Sequence, residues 1–107
     1  MQIVSFDVFR SLHIPGVQYI KPEHFFSQLD VIREADWVLF PEYWQVNSLY
    51  YGLKKRLFPS IASYHLGHNK IEMTRAFQAV CPRHIPQTLI EAGTPEGTRA
   101  ILEQFAF

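Results

Sequence analysis

Residues 37–40, Trp-Val-Leu-Phe, form an unbroken apolar run between a carboxylate, Asp36, and a proline, Pro41. A run without alternation leaves neither face for water, so it suits a strand covered on both sides, as central parallel strands are. Pro41 stops it, because proline lacks the amide N–H that a ladder needs. Such a strand wants paired strands beside it and helices over its faces.

The rest of the chain reads that way. Ile3–Phe6 and Val17–Ile20 are short β-rich runs, and Ser60–Ser63 and Gln87–Ile90 read as two more. Residues 7–16 have no settled pattern, and Pro15-Gly16 breaks the chain there. Helices are expected between these runs. Pro22 suits a first helical turn, and Phe25, Phe26, Leu29 and Ile32 repeat on one face. Val46, Leu49, Tyr50, Leu53 and Leu57 form a second stripe at helical spacing. Asn69 with Glu72 three residues on has the form of a capping box. Met73, Ala76, Phe77 and Val80 would be the buried stripe of that helix, which Pro82 ends. Thr94, Pro95 and Glu96 give a cap, an N1 proline and a first-turn acid to a last helix, with Ala100, Ile101 and Phe105 as its apolar face. Alternating strands and helices predict an α/β fold, a Rossmann-like open parallel sheet flanked by helices. Sheets of this kind bind ligands at the carboxyl ends of their strands.

The chain has 107 residues, one domain by size, and 48% of them are apolar. That length buries roughly two-thirds of the unfolded surface, enough for a real core. Lysine plus arginine equals aspartate plus glutamate, ten of each, so no basic excess exists to neutralise nucleic-acid phosphates. The one basic cluster, Lys54-Lys55-Arg56, falls at the end of the second expected helix, where cations oppose the negative dipole end. The lone cysteine, Cys81, has no partner for a disulfide, which fits a reducing compartment. Asp7 and Arg10 interrupt any leader-like apolar stretch, and no run approaches a membrane span. A soluble cytoplasmic protein, with neither nucleic acid nor membrane as partner, is expected.

Four places could carry chemistry. Glu42-Tyr43-Trp44, with Asn47 nearby, directly follows the central strand. A carboxylate, two aromatics and an amide there could hold a polar or cationic ligand; equally, Glu42 could serve the next helix start. Tyr64–His68 reads as a loop with two histidines, His65 and His68. Zinc needs three or four ligands, and only His84 could be a third, so loop hydrogen bonding or a polar wall of a ligand site is the better reading. Lys70 stands in the first turn of a helix, where a cation opposes the dipole by about 0.3–1 kcal/mol; an anion such as a phosphate would offset that, though an exposed lysine tolerates so small a penalty, which is the simpler reading of the residues alone. Asp7 and Arg10 could line the same strand edge or form a surface ion pair. No Gly-x-Gly-x-x-Gly follows the first strand, and neither a Walker A nor a Gly-x-Ser-x-Gly sequence occurs.

The segment His68-Asn69-Lys70-Ile71-Glu72-Met73-Thr74-Arg75-Ala76-Phe77, followed by His84-Ile85-Pro86-Gln87-Thr88-Leu89-Ile90 and a capped helix, resembles the junction of ATP-grasp enzymes. There an Asp-Lys pair opens a helix, and a Pro-x-Thr strand follows; here Asn69 replaces the aspartate. Leu39–Asn47 is similar to the branch that includes ribosomal-protein glutamate ligases. The resemblance implies a preATP-grasp domain over residues 1–83 and the truncated start of the ATP-grasp subdomain over residues 84–107. It implies a parent that is an ATP-dependent carboxylate–amine or carboxylate–thiol ligase, using ATP and magnesium. These 107 residues would be inactive and without cofactor by themselves. Lys70 would contact the nucleotide. Glu42, Tyr43, Asn47, His65 and His68 would meet a small-molecule or peptide carboxylate. The tail from Gln87 would lack its partners and pack on a second copy as a homodimer, exchange with one, or stay disordered. The alternative is a stand-alone flavodoxin-like ligand-binding or interaction module without catalysis.

Overall fold

The computed structural model describes residues 1–105 and divides into two compact units, residues 1–67 and 68–107. The first holds a four-stranded, all-parallel sheet of β1 (Ile3–Ser5), β2 (Val17–Tyr19), β3 (Trp37–Leu39) and β4 (Arg56–Phe58), in the order β2-β1-β3-β4. Ile3 is in register with Val17 on one side and Trp37 on the other, and Trp37 with Arg56. Residues 37–39 of the apolar run are thus an interior strand, and Val38 at its centre is fully buried. Asp36 ties the amino ends of β1 and β3 together. Its carboxylate accepts the Gln2 amide at 2.7 Å, while its own amide donates to the Gln2 carbonyl at 2.7 Å.

Helix α1 (Leu29–Glu34) is shorter than its apolar spacing predicts. Pro22–His24 forms a separate 3-10 turn, and irregular turns join it to α1. Phe25 and Ile32 still face the core, at 1% and 0% exposure, whereas Phe26 lies outside against the Phe25 ring. The core gathers Val4, Phe6, Ile20, Phe25, Ile32, Ala35, Val38, Val46, Leu49 and Leu57, every one in the first unit. Each large aliphatic or aromatic member contributes about 1.5–3 kcal/mol through burial.

Two expectations between residues 46 and 63 are corrected. The stripe Val46–Leu57 does not form one helix. A 3-10 turn at Tyr43–Gln45 and a π turn at Ser48–Gly52 carry Val46 and Leu49 into the core. Lys54 then turns the chain with φ +56°, and Leu57 is buried from β4 instead. The strand expected at Ser60–Ser63 is the start of a helix, α2 (Ile61–His68). Ser60 provides its entry: its hydroxyl accepts the Ser63 amide at 3.2 Å, and its carbonyl accepts the Tyr64 amide at 3.2 Å. Ile61 and Tyr64, three apart, pack against the core. The segment Tyr64–His68 is therefore helix and not loop. Between β1 and β2 the chain crosses in turns alone, and Gly16 enters β2 at φ +76°.

The second unit contains α3 (Lys70–Val80) and α4 (Pro95–Phe105). Both starts take the caps the sequence offers, but Glu72 does not complete a capping box with Asn69, and the stripe expected at Met73, Ala76, Phe77 and Val80 is not buried, with Val80 82% exposed. Asn69 Oδ1 accepts the amides of Ile71 at 3.0 Å and Glu72 at 3.2 Å. Thr94 Oγ1 accepts the Gly97 amide at 3.1 Å. Glu72 pairs forward with Arg75 at 3.1 Å. Residues 87–90 are not a strand; Gln78 donates to the Thr88 carbonyl at 3.3 Å and the segment has no β partner. Among the described residues, Gly97 alone in this unit is buried; a side chain there would meet the Ala92 carbonyl oxygen at 2.1 Å. No helix of the described residues is long and apolar enough to cross a membrane.

Candidate functional site

From β1 the chain runs outward to β2 on one side, and returns to β3 on the other. The crevice of such a sheet opens where this reversal occurs, beyond the carboxyl ends of β1 and β3. After β1 come Asp7 and Arg10. Asp7 caps the turn, accepting the Arg10 amide at 3.1 Å, and its carboxylate pairs with the Arg10 guanidinium at 3.5 Å. Beneath them the hydroxyls of Ser5 and Ser11, both buried, bond to each other. The Ser5 hydroxyl also meets the Asp7 backbone.

After β3 comes Phe40, held at φ +50°. The left-handed region costs a residue with a side chain about 1–2 kcal/mol. The neighbours hold it there: the Phe40 amide donates to the Phe58 carbonyl at 2.6 Å. Its ring meets Phe58 edge-on at 5.8 Å, and Arg10 lies 5.6 Å above its centroid. The kink sends Pro41 and Glu42 away from the strand line, so the carboxylate expected at this edge is placed there by a strained backbone.

Glu42 precedes the Tyr43–Gln45 turn. Its amide donates to Gln45 Oε1 at 2.8 Å, and its Oε2 accepts the Trp44 indole N–H at 2.6 Å. The carboxylate starts a helical turn, as its helix-start reading expects, and it stays exposed beside two half-exposed aromatics, Tyr43 and Trp44. Gln45, which sequence reasoning passed over, is fully buried and also donates to the Pro22 carbonyl at 3.3 Å. Its place four residues before Leu49, on the same helical face just ahead of the apolar stripe, was the available signal.

Of the predicted site residues, the structure brings together Asn47 and His65, whose Oδ1 and Nε2 lie 3.2 Å apart. Glu42 and Tyr43 belong to the turn just before Asn47. His68 ends α2, three residues after His65, and Lys70 opens α3 in the second unit. Tyr64, also missed in the sequence, donates its hydroxyl to the Pro41 carbonyl at 2.6 Å. With Arg10, Pro59 and Ser63 it lines a shallow cavity of about 160 Å³. Burial raises the Tyr64 phenol above its ordinary value; Arg10 opposes the shift and Asp7 adds to it.

The ATP and magnesium implied by the resemblance were tested against these residues. Asn69 already occupies two amides of the α3 amino terminus, leaving the Lys70 ammonium as the group there that could meet a phosphate. Among the described residues, no three His, Cys, Asp or Glu side chains gather closely enough to hold a metal ion. Lys70 thus fits a phosphate contact, while the described residues include no cluster that would hold magnesium. Comparison of the chain with protein-family models, with curated proteins and with solved structures finds no match in any of the three.

Proposed function

We propose that the carboxyl edge of this sheet binds a small amino acid or peptide carboxylate, and that the domain serves an ATP-dependent carboxylate–amine or carboxylate–thiol ligase of the ATP-grasp type. The observation that carries the binding part is that residues of opposite charge follow adjacent parallel strands, Arg10 after β1 and Glu42 after β3. Arg10 follows β1 and can take a carboxylate through its guanidinium fork. Glu42 follows β3 and can take an ammonium, with Tyr43 and Trp44 beside it. Asn47 and His65, bonded to each other, supply further hydrogen-bonding groups. The ligase part rests on the sequence resemblance at residues 68–77 and 84–90, of which the structure forms the helix Lys70–Val80 and not the strand at 87–90. On this reading ATP and magnesium are held by the remainder of the parent, with Lys70 approaching the nucleotide from this chain.

The test is ADP formation by the full-length parent with magnesium, a carboxylate and an amine or thiol acceptor. Glu42→Gln is expected to lower kcat/KM for the carboxylate substrate by about tenfold, the loss of one charge-assisted contact. ATP turnover that no carboxylate stimulates would contradict the ligase reading. A second reading is favoured by the strand order β2-β1-β3-β4, which is the start of the flavodoxin-like order. It gives the same edge to a binding module without catalysis, and predicts carboxylate binding with no ADP formed.

A further inference from the structure

The amino end of β4 carries a second cluster that the reading above does not use. Lys54, Lys55 and Arg56 run consecutively into this strand. With Tyr50 and Tyr51 they line a cavity of about 360 Å³. Because β4 starts at Arg56, the cavity stands at the opposite end of the strand from the Arg10–Glu42 edge.

The sequence assigns all three cations to the dipole of one helix. The structure gives that task to Lys55, and to a different helix: its ammonium donates to the Arg33 carbonyl and, at 2.9 Å, to the Ala35 carbonyl at the end of α1. Lys54 and Arg56 have no such employment. Arg56 lies 5.9 Å above the Trp37 ring, which orients the guanidinium without neutralising it. Lys54 sits at φ +56°, where glycine or asparagine would be easier. The ion pairs among the described residues are Asp7–Arg10, Asp30–Arg33 and Glu72–Arg75, and none includes residues 54–56. Three adjacent cations without a carboxylate repel one another, in a chain whose net charge is zero.

The walls are aromatic. Tyr50 and Tyr51 meet edge to face at 5.0 Å and 88°, and remain 41% and 55% exposed. Part-exposed aromatic rings suit a planar ligand, and an arginine fork beside a lysine suits a phosphate. The volume suits a small molecule. We infer that this cavity binds a phosphate monoester carried on a planar ring, with the phosphate on Lys54 and Arg56 and the ring against Tyr50 and Tyr51.

Amide-resolved NMR of the 107-residue chain tests this, with phenyl phosphate, inorganic phosphate and phenol as probes. Phenyl phosphate should shift the amides of residues 50–56 and bind about tenfold more tightly than inorganic phosphate, the smaller end of what one stacked ring supplies. Lys54→Gly keeps the fold, since glycine adopts this φ freely, and should weaken phenyl phosphate by about tenfold. The inference is overturned if residues 50–56 do not respond at about 10 mM, beyond even weak specific affinity. It is equally overturned if inorganic phosphate binds as tightly as phenyl phosphate, or if Lys54→Gly binds like the wild type.

Discussion

At the scale of single residues, the side chains that set the candidate site are those whose polar atoms are spoken for inside the fold. Gln45 is fully buried and joins the Glu42 amide to the Pro22 carbonyl. Gln45→Leu keeps volume and removes both bonds, leaving two backbone groups without that partner. A loss of about 1–3 kcal/mol is expected from chemical denaturation. Tyr64 gives a pH-dependent check. Its phenol is raised above 10.0 chiefly by burial, so the folded state holds the proton more tightly than the unfolded chain does. Its contribution to stability is fully present below about pH 10 and is lost as pH rises through the raised folded value. Ultraviolet titration should show a tyrosine step above the ordinary phenol value, and Tyr64→Phe should remove that step. A Tyr64 that ionises at the ordinary phenol value would contradict the burial described. These roles were hard to read in the sequence, because they depend on which distant carbonyl a side chain reaches: Pro41 for Tyr64, Pro22 for Gln45, Ala35 for Lys55.

Whole elements were legible where the signal was local. Residues 37–39 of the apolar run are an interior strand, and Asn69 and Thr94 cap the helices they precede. The misreadings fall where two patterns overlap. Leu57 continues the spacing of Val46, Leu49 and Leu53, yet Gly52 and the left-handed Lys54 end the helical turns, and pairing with Val38 claims Leu57 for β4. The next helix then starts at Ile61, with Ser60 as the entry signal that was overlooked. Ser60→Ala should destabilise α2 and the fold by about 0.5–2 kcal/mol, the usual worth of such a cap. Thermal melts will read it, and no change would show that the Ser60 hydroxyl bonds do not support α2. Residues 87–90 have β-like composition but no strand beside them in their unit. Composition favours a strand, while pairing decides it.

For the whole molecule, the sequence supports an α/β fold with a parallel sheet, and the structure supplies the order that locates the crevice. The core lies entirely within residues 1–67, and so do Arg10, Glu42, Asn47, Tyr64 and His65. The central claim is that the carboxyl ends of β1 and β3 bind a small carboxylate. Its most direct test is an amide-resolved NMR titration of the chain with amino acids and short peptides. The account predicts shifts concentrated in residues 6–11, 40–47 and 63–65, abolished by Arg10→Gln for the carboxylate and weakened by Glu42→Gln for ligands bearing an ammonium. Shifts confined to other regions, or no response to any of these ligands, would contradict it.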